Sequence, residues 1–207
     1  MASEPIRFPS GKLEIEGRLR PGDGDRIAVI THPHSLYGGD MDNPVVRAIS
    51  DAYLQAGYAA LRFNFRGVGR STGFYDGGLG EQRDLRSAFD FVAGRGYRRI
   101  HLAGYSFGAW VAAHVDGPES PIDELVMVSP PVAFMDFGDV GALLHLSMVV
   151  TGGADEIAPP DRIEAALPGW RTGVRLDIIP LADHFYTGFM NRLREILEAH
   201  IGGSASA

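Results

Sequence analysis

The sequence predicts an α/β protein: a mostly parallel, twisted sheet with an antiparallel N-terminal edge and helices on both faces. Two observations carry that expectation. Short apolar runs rich in β-branched residues alternate with segments of helical period, and each run ends at a turn marked by glycine, proline or aspartate. Residues 6–8 and 13–19 read as two opening strands, the second alternating through Leu13, Ile15 and Gly17, joined through Pro9-Ser10-Gly11 as an antiparallel edge. After Pro21-Gly22-Asp23-Gly24, residues 27–31 form a short buried strand. Residues 44–56 then read as a helix with Asn43 as N-cap, Pro44 at its first position and Gly57 as its stop. A strand at 59–65 leads through a glycine-rich loop, 67–80, into a helix at 81–93 whose Leu85, Ala88, Phe89 and Val92 share one face. A strand at 100–103, a helix at 107–115, strands at 125–129, 146–151 and 174–179, and a closing amphipathic helix at 188–200 complete the alternation. Residues 1–201 are expected to form a single domain, and the small residues 202–207 a disordered tail.

Composition narrows the classes of function. A chain of 207 residues with 45% hydrophobic content can bury a substantial core but leaves little room for a second domain. The net charge of −7 comes with no Lys/Arg cluster, so attraction to nucleic acid or to an anionic membrane is not expected. Absence of cysteine removes disulfides, thiolate metal sites and cysteine nucleophiles together. The first nine residues hold Glu4, Arg7, Pro5 and Pro9 instead of a basic and then apolar leader, and no apolar run approaches the roughly 18 residues of a membrane span. A cytoplasmic location is the expectation; monomer and homodimer both remain open.

The chemistry concentrates at Gly104-Tyr105-Ser106-Phe107-Gly108, a G-x-S-x-G pattern between an apolar strand and an apolar helix. A strand-to-helix turn tight enough to expose the serine Oγ leaves room only for small residues two positions before and after it. The backbone N–H of Phe107 would then face the oxyanion formed when Ser106 attacks a carbonyl. A serine hydroxyl needs a base to accept its proton and an acid to orient that base. The strand at 146–151 runs into Gly152-Gly153-Ala154-Asp155-Glu156, and the strand at 174–179 runs into Pro180-Leu181-Ala182-Asp183-His184. Both stretches leave the carboxyl edge of the predicted sheet, where parallel α/β sheets gather their ligands and where Ser106 also falls. Asp155 is the expected acid, with Glu156 and Asp183 as competitors; Asp183 adjoins His184, so its side chain should diverge from the ring. His184 is the expected base, while His101, His114, His145 and His200 read as surface or packing residues.

A second oxyanion donor is expected from the loop after the strand at 27–31, with the N–H of His34 as first choice and that of Leu36 as the other. His32 and His34 also suggest a metal pair, but a third ligand at useful spacing is missing, so no metal or other cofactor is expected. The glycine-rich stretch from Arg66 to Gly73 invites a nucleotide reading and fails it in detail. A dinucleotide fingerprint needs glycine where Thr72 stands, and no Gly-Lys-Ser/Thr ending is present. Arg66 and the glycines are expected to shape a tight loop beside the site, with Ser71 as a turn residue. Tyr37, Phe74, Tyr75, Phe107, Phe134, Phe137, Phe185 and Tyr186 are candidates to line an apolar acyl pocket.

Over residues 27–190 the chain resembles a subfamily of small bacterial α/β-hydrolases similar to dienelactone hydrolases and serine esterases. The likeness is carried by His32-Pro33-His34, Leu36-Tyr37-Gly38-Gly39, Met41-Asp42-Asn43, the block from Leu61 to Gly69, Gly80-Glu81 and the serine turn. The resemblance implies the α/β-hydrolase fold without a large cap, a triad of Ser106, Asp155 and His184, and Phe107 in the oxyanion hole. Dienelactone hydrolases carry cysteine at the position of Ser106, which points away from that substrate. Residues 130–145 are too few for a cap domain, so an open site with at most a short helix within 134–144 is expected. The function these features imply is cleavage of an ester or thioester of a small molecule. The alternatives are a serine peptidase and a binding protein that keeps the fold without the chemistry.

Overall fold

The computed structural model describes residues 3–204 of the chain. Its strands are β1 (Glu4–Ser10), β2 (Leu13–Arg20), β3 (Arg26–Thr31), β4 (Ala59–Phe63), β5 (Arg99–Tyr105), β6 (Glu124–Val128), β7 (Leu146–Gly152) and β8 (Arg175–Ile179). They form one eight-stranded sheet in the order β1-β2-β4-β3-β5-β6-β7-β8. β1 and β2 pair antiparallel, β2 pairs antiparallel with β4, and every pairing from β4 through β8 is parallel. The helices are α1 (Pro44–Gln55), α2 (Leu79–Gly94), α3 (Phe107–Ala113), α4 (Pro160–Trp170) and α5 (Met190–Ser204).

The central strands β3 and β6 are apolar through residues 27–30 and 125–128 because both of their faces are covered. Along β3, Ile27 and Val29 pack into the core layer shared with α2, α3 and α4, while Ala28 and Ile30 pack into the layer shared with α1 and α5. Along β6, Leu125 and Met127 face the first layer and Val126 and Val128 the second. At the antiparallel edge, Phe8 meets the rings of Phe63 at 5.7 Å and Phe91 at 5.3 Å, which closes α2 over β1. The outermost strands differ from this apolar pattern. β1 carries Pro5 and Pro9 and an Arg7–Glu14 ion pair across to β2, and β8 carries an Arg175–Asp177 pair.

Helix α1 begins and ends as the sequence requires. Asn43 Oδ1 accepts from the Val45 N–H at 2.9 Å, Pro44 is the first helical residue, and Gly57 beyond the helix takes φ +83°. Three elements depart from the expectation. Helix α4 was not legible, because Pro159, Pro160 and Pro168 read as breakers. Pro160 instead occupies the first position, where no N–H is needed, and only Ile163 and Trp170 are buried. Within 134–144, where at most a short helix is expected, no helix forms. That segment is a series of turns, with Phe137 packed on Trp170 at 5.0 Å and the Trp110 indole N–H donating to the Asp136 carbonyl at 2.6 Å. Helix α5 continues through Gly202 and Gly203 to Ser204, where a disordered tail was expected; residues 205–207 lie outside the described residues. Strand β4 also stops at Phe63, because the next two N–H groups turn to other acceptors: Asn64 to the Glu16 carbonyl and Phe65 to the His32 ring, both at 3.0 Å.

The loop after β4 is held by buried charge. Arg66 places Nε at 3.0 Å and Nη2 at 2.8 Å on the carboxylate of Asp84, whose side chain on α2 is fully buried, and the Arg66 backbone N–H reaches the same group at 3.0 Å. A side chain at Gly80 would collide with this guanidinium, which is why glycine stands there. Glu81, also buried, accepts from the N–H groups of Asp76 and Gly78 at 3.0 and 2.8 Å. Ser71 accepts from Glu16 N–H and donates to the Asn64 carbonyl, a turn role with no free hydroxyl. Removing one member of a buried pair leaves the other charge uncompensated, at a cost of about 3 kcal/mol or more. Asp84→Ala is therefore expected to lower the urea midpoint by that equivalent with an unchanged slope; a loss under about 1 kcal/mol would assign the anchoring of this loop to Glu81 instead.

Candidate active site

The turn from β5 to α3 places Ser106 at φ 53°, ψ −121°, a conformation an L-residue holds only when its surroundings impose it. Three contacts impose it here. The Ser106 N–H donates to the Val128 carbonyl at 3.0 Å, and the Ser106 carbonyl accepts from Ala109 and Trp110 at 2.8 and 3.2 Å. The chain also passes so closely that a Cβ on Gly104 would overlap Gly108 and Ala109, and one on Gly108 would overlap Thr31. Thr31 Oγ1 in turn donates to the Gly108 carbonyl at 3.0 Å, locking the turn to the end of β3.

The loops after β7 and β8 bring two further side chains to this serine. His184 Nε2 lies 3.0 Å from Ser106 Oγ, and His184 Nδ1 lies 2.9 Å from Asp155 Oδ2 and 3.0 Å from Oδ1. A carboxylate only accepts, so Nδ1 carries the proton and Nε2 is left free to accept from the serine hydroxyl. Burial works against charge on Asp155, yet hydrogen bonds from His184, the Ala158 N–H and the Ser129 hydroxyl outweigh it and hold the carboxyl below the ordinary range. The Ile157 and Ala158 N–H groups both donate to its Oδ1, at 2.9 and 2.8 Å. The two loops are sewn to each other: Gly153 N–H donates to the Ile179 carbonyl at 2.8 Å and Ala154 N–H to that of Ala182 at 2.9 Å. A side chain on Gly152 would collide with the Ala182 carbonyl, so this approach needs glycine.

The competing acids lie elsewhere. Asp183 Oδ1 accepts from the N–H groups of Phe185 and Thr187, both at 3.1 Å, in a local turn, and Glu156 is exposed. In the loop after β3, a 3-10 turn of Ser35–Tyr37 puts the Leu36 N–H on His34 Nδ1 at 3.2 Å, so that amide is already used. The His34 ring lies 4.8 Å from that of Phe107, which sets the backbone of this loop beside the serine turn. Among the described residues the N–H groups of Phe107 and His34 have no hydrogen-bond acceptor.

His32 does not resemble a metal ligand: Nδ1 donates to the Pro33 carbonyl at 2.7 Å and Nε2 accepts from the Phe65 N–H at 3.0 Å, so both nitrogens are in use. His101 and His200 contact Glu124, His114 contacts Asp139, and His145 contacts Asp116. Sequence reasoning missed Ser129 and Tyr186. Both take positive φ, +46° and +55°, both are buried, and their hydroxyls meet at 2.7 Å behind Asp155. No signal in the chain announces a serine at positive φ, and Tyr186 was expected in the acyl pocket. It belongs instead to the core, and the half-buried Phe137 packs against the core beside Trp170. Tyr75, Phe107 and the largely exposed Tyr37 pack around His34, whereas Phe74, Phe134 and Phe185 stand in solvent.

With this geometry in view, comparison with known proteins defines the class. Residues 30–201 match the family model described as the alpha/beta hydrolase family, and the chain belongs to that family. Its relatives include a protein of Rickettsia prowazekii (strain Madrid E), itself uncharacterized, 33% identical over 193 residues that span 87% of this chain and 81% of the relative. An α/β serine hydrolase homologue from Coxiella burnetii superposes with a TM-score of 0.90 at 32% identity, covering 97% of this chain and 98% of that one. A lidless α/β serine hydrolase from Xanthomonas campestris superposes with a TM-score of 0.84, also at 32% identity, over 96% and 93% of the two chains. As in the Xanthomonas structure, no cap domain is present among the described residues. None of the described helices is long and apolar enough to cross a membrane.

His32 makes a measurable contribution near this site. Complete burial lowers its pKa from 6.5 to about 4. Between those values the unfolded chain takes up a proton that the folded chain refuses. The stability His32 confers is therefore whole above about pH 6.5 and falls as pH drops toward 4, a difference of about 3 kcal/mol. Urea denaturation across this window is expected to show a shallower pH slope for His32→Gln than for the parent, by close to one proton. Equal slopes would mean that His32 ionises alike in both states.

Proposed function

We propose that the protein is a serine hydrolase that cleaves an ester or thioester of a small substrate through an acyl-enzyme on Ser106. The observation that carries this reading is the continuous line of hydrogen bonds from Ser106 Oγ through both nitrogens of His184 to Asp155, at 3.0 and 2.9 Å, mounted on a strained turn. In this mechanism Ser106 Oγ adds to the substrate carbonyl carbon while His184 Nε2 takes the hydroxyl proton. The charge gathering on the carbonyl oxygen is met by the N–H groups of Phe107 and His34, each such donor being worth about 10²–10³ in rate. His34 is preferred to Leu36 because the Leu36 N–H is spent on the His34 ring. Collapse of the tetrahedral adduct breaks the bond to the leaving group, which carries away the proton from Nε2. Water then adds to the acyl-enzyme, giving its proton to the same nitrogen, and the acid departs as Ser106 recovers its hydroxyl. Asp155 holds the Nδ1–H tautomer and balances the imidazolium formed at each step. The reading treats the chain as a single domain and needs no metal or cofactor.

A fluorophosphonate probe is expected to label Ser106 in the parent protein, and Ser106→Ala to lose both labelling and hydrolysis of 4-nitrophenyl esters. Hydrolysis at the parental rate by that variant would remove Ser106 from the mechanism, and an unlabelled parent inert toward all esters would leave a binding protein on this fold. Asp155→Asn is expected to lower kcat by up to about 10⁴ with KM little changed, because the acid acts on a charge present only in the transition state. Asp183→Asn should be mild by comparison. A crippled Asp183→Asn beside an active, folded Asp155→Asn would move the acid to the other loop.

A further inference from the structure

We infer that the ester this site takes is uncharged and apolar where it lies against the protein, and that polyanionic acyl carriers such as coenzyme A thioesters are disfavoured; this rests on the hydrolase reading above. Two independent observations carry it. The first is the aromatic surface on the edge of the sheet that carries the serine. Tyr37, Phe74, Phe134 and Phe185 stand 87%, 88%, 74% and 63% exposed, and they come from four different loops that leave the same edge of the sheet. Ring contacts tie Tyr37 and Phe185 of this surface, together with Tyr75, to the reacting groups. Tyr37 and Tyr75 each lie 4.9 Å from His34, His34 lies 4.8 Å from Phe107 beside Ser106, and on the other flank Phe185 meets His184 edge-on at 5.6 Å. An aromatic apron on both sides of a nucleophile rewards burial of apolar substrate surface.

The second observation is charge. Asp183 and Glu156 adjoin His184 and Asp155, Asp76 follows Tyr75, and Asp136 lies where its carbonyl receives the Trp110 indole. Among the described residues the loops leaving this edge hold two cations. Arg66 is closed bidentately on Asp84, and Arg70 sits at the antiparallel side, its backbone N–H on Glu16 at 2.6 Å. The single lysine of the chain, Lys12, is in the β1–β2 turn. A diphosphate or a carboxylate beside Ser106 would meet more carboxylates than guanidiniums, the exposed Arg70 lying at the antiparallel side and the exposed Arg162 in the first turn of α4 beyond the Asp155 loop.

The test compares substrates of different charge: 4-nitrophenyl hexanoate against mono-4-nitrophenyl adipate, of equal chain length and identical leaving group, and the N-acetylcysteamine thioester of hexanoate against hexanoyl-coenzyme A, which adds the polyanionic remainder of the carrier. At low ionic strength kcat/KM is expected to be at least about tenfold higher for the neutral member of each pair, with the gap narrowing in about 0.5 M salt. Phe185→Lys, which places a cation on the exposed apron, is expected to narrow it as well. Adipate hydrolysed as fast as hexanoate, or coenzyme A thioester used better than its truncated counterpart, overturns the inference. So does a gap that neither salt nor Phe185→Lys alters, and so does fluorophosphonate labelling without turnover of any neutral ester. Absence of both labelling and turnover overturns the hydrolase reading itself.

Discussion

The structure depends on the backbone of Ser106 being held at positive φ. That conformation is unfavourable for a serine, and it persists because the end of β5, the start of α3 and the end of β3 are too close together to allow another. The requirement spreads outward. Gly104 and Gly108 cannot carry side chains, Thr31 must present its hydroxyl to the Gly108 carbonyl, and β3 must lie directly beside β5 in parallel register. That pairing sets Ile27 opposite Ile100 and Val29 opposite Leu102, so the packing of the apolar core and the strain at its edge are two ends of one arrangement. Among the described residues, three other non-glycine positions take positive φ, Ser129, Leu181 and Tyr186, and they lie at the end of β6 and in the loop that presents His184. Strain is concentrated on the side of the sheet where the chemistry is proposed to occur.

Much of this was legible in the sequence. Alternating short apolar runs and helical periods gave the parallel sheet, because strands buried on both faces need apolar runs, as residues 27–30 of β3 and 125–128 of β6 supply. Gly104 and Gly108 flanking Ser106 announced the tight turn, and the positions of Asp155 and His184 just past strand ends announced where those side chains would gather. What was not legible depended on contacts distant in the chain. Helix α4 buries too few residues to impose a period and is bracketed by prolines. The segment 131–145 is shaped by Trp110 and Trp170, which local propensity cannot see. The hydroxyl pair of Ser129 and Tyr186 joins residues 57 positions apart.

The histidines show how the same side chain serves opposite ends. His32 is saturated, donating from one nitrogen and accepting at the other within the protein, and burial keeps it neutral. It ties the loop after β3 to the loop after β4 and has no capacity left for a ligand. His184 shares the burial but not the saturation by backbone, since Nε2 meets only a serine hydroxyl whose proton is mobile. A motif search weighs His32 and His184 equally, and their different partners separate a brace from a candidate base.

The two margins of the sheet have a consequence for how the protein behaves when many copies are crowded together. An outermost strand offers unpaired N–H and C=O groups to any other chain that arrives in extended form. On β1 the prolines at positions 5 and 9 remove donors from that row, and the Arg7–Glu14 pair surrounds it with charge. On β8 the Arg175–Asp177 pair does the same where Ile178 would otherwise stand as a bare apolar contact. A continuous ribbon of stacked molecules is thus discouraged at both margins, and the edge that carries Ser106 stays accessible without the sheet becoming a seed for fibrils. Replacing those few prolines and ion pairs with valine would leave the fold and its chemistry in place while giving the molecule a sticky border.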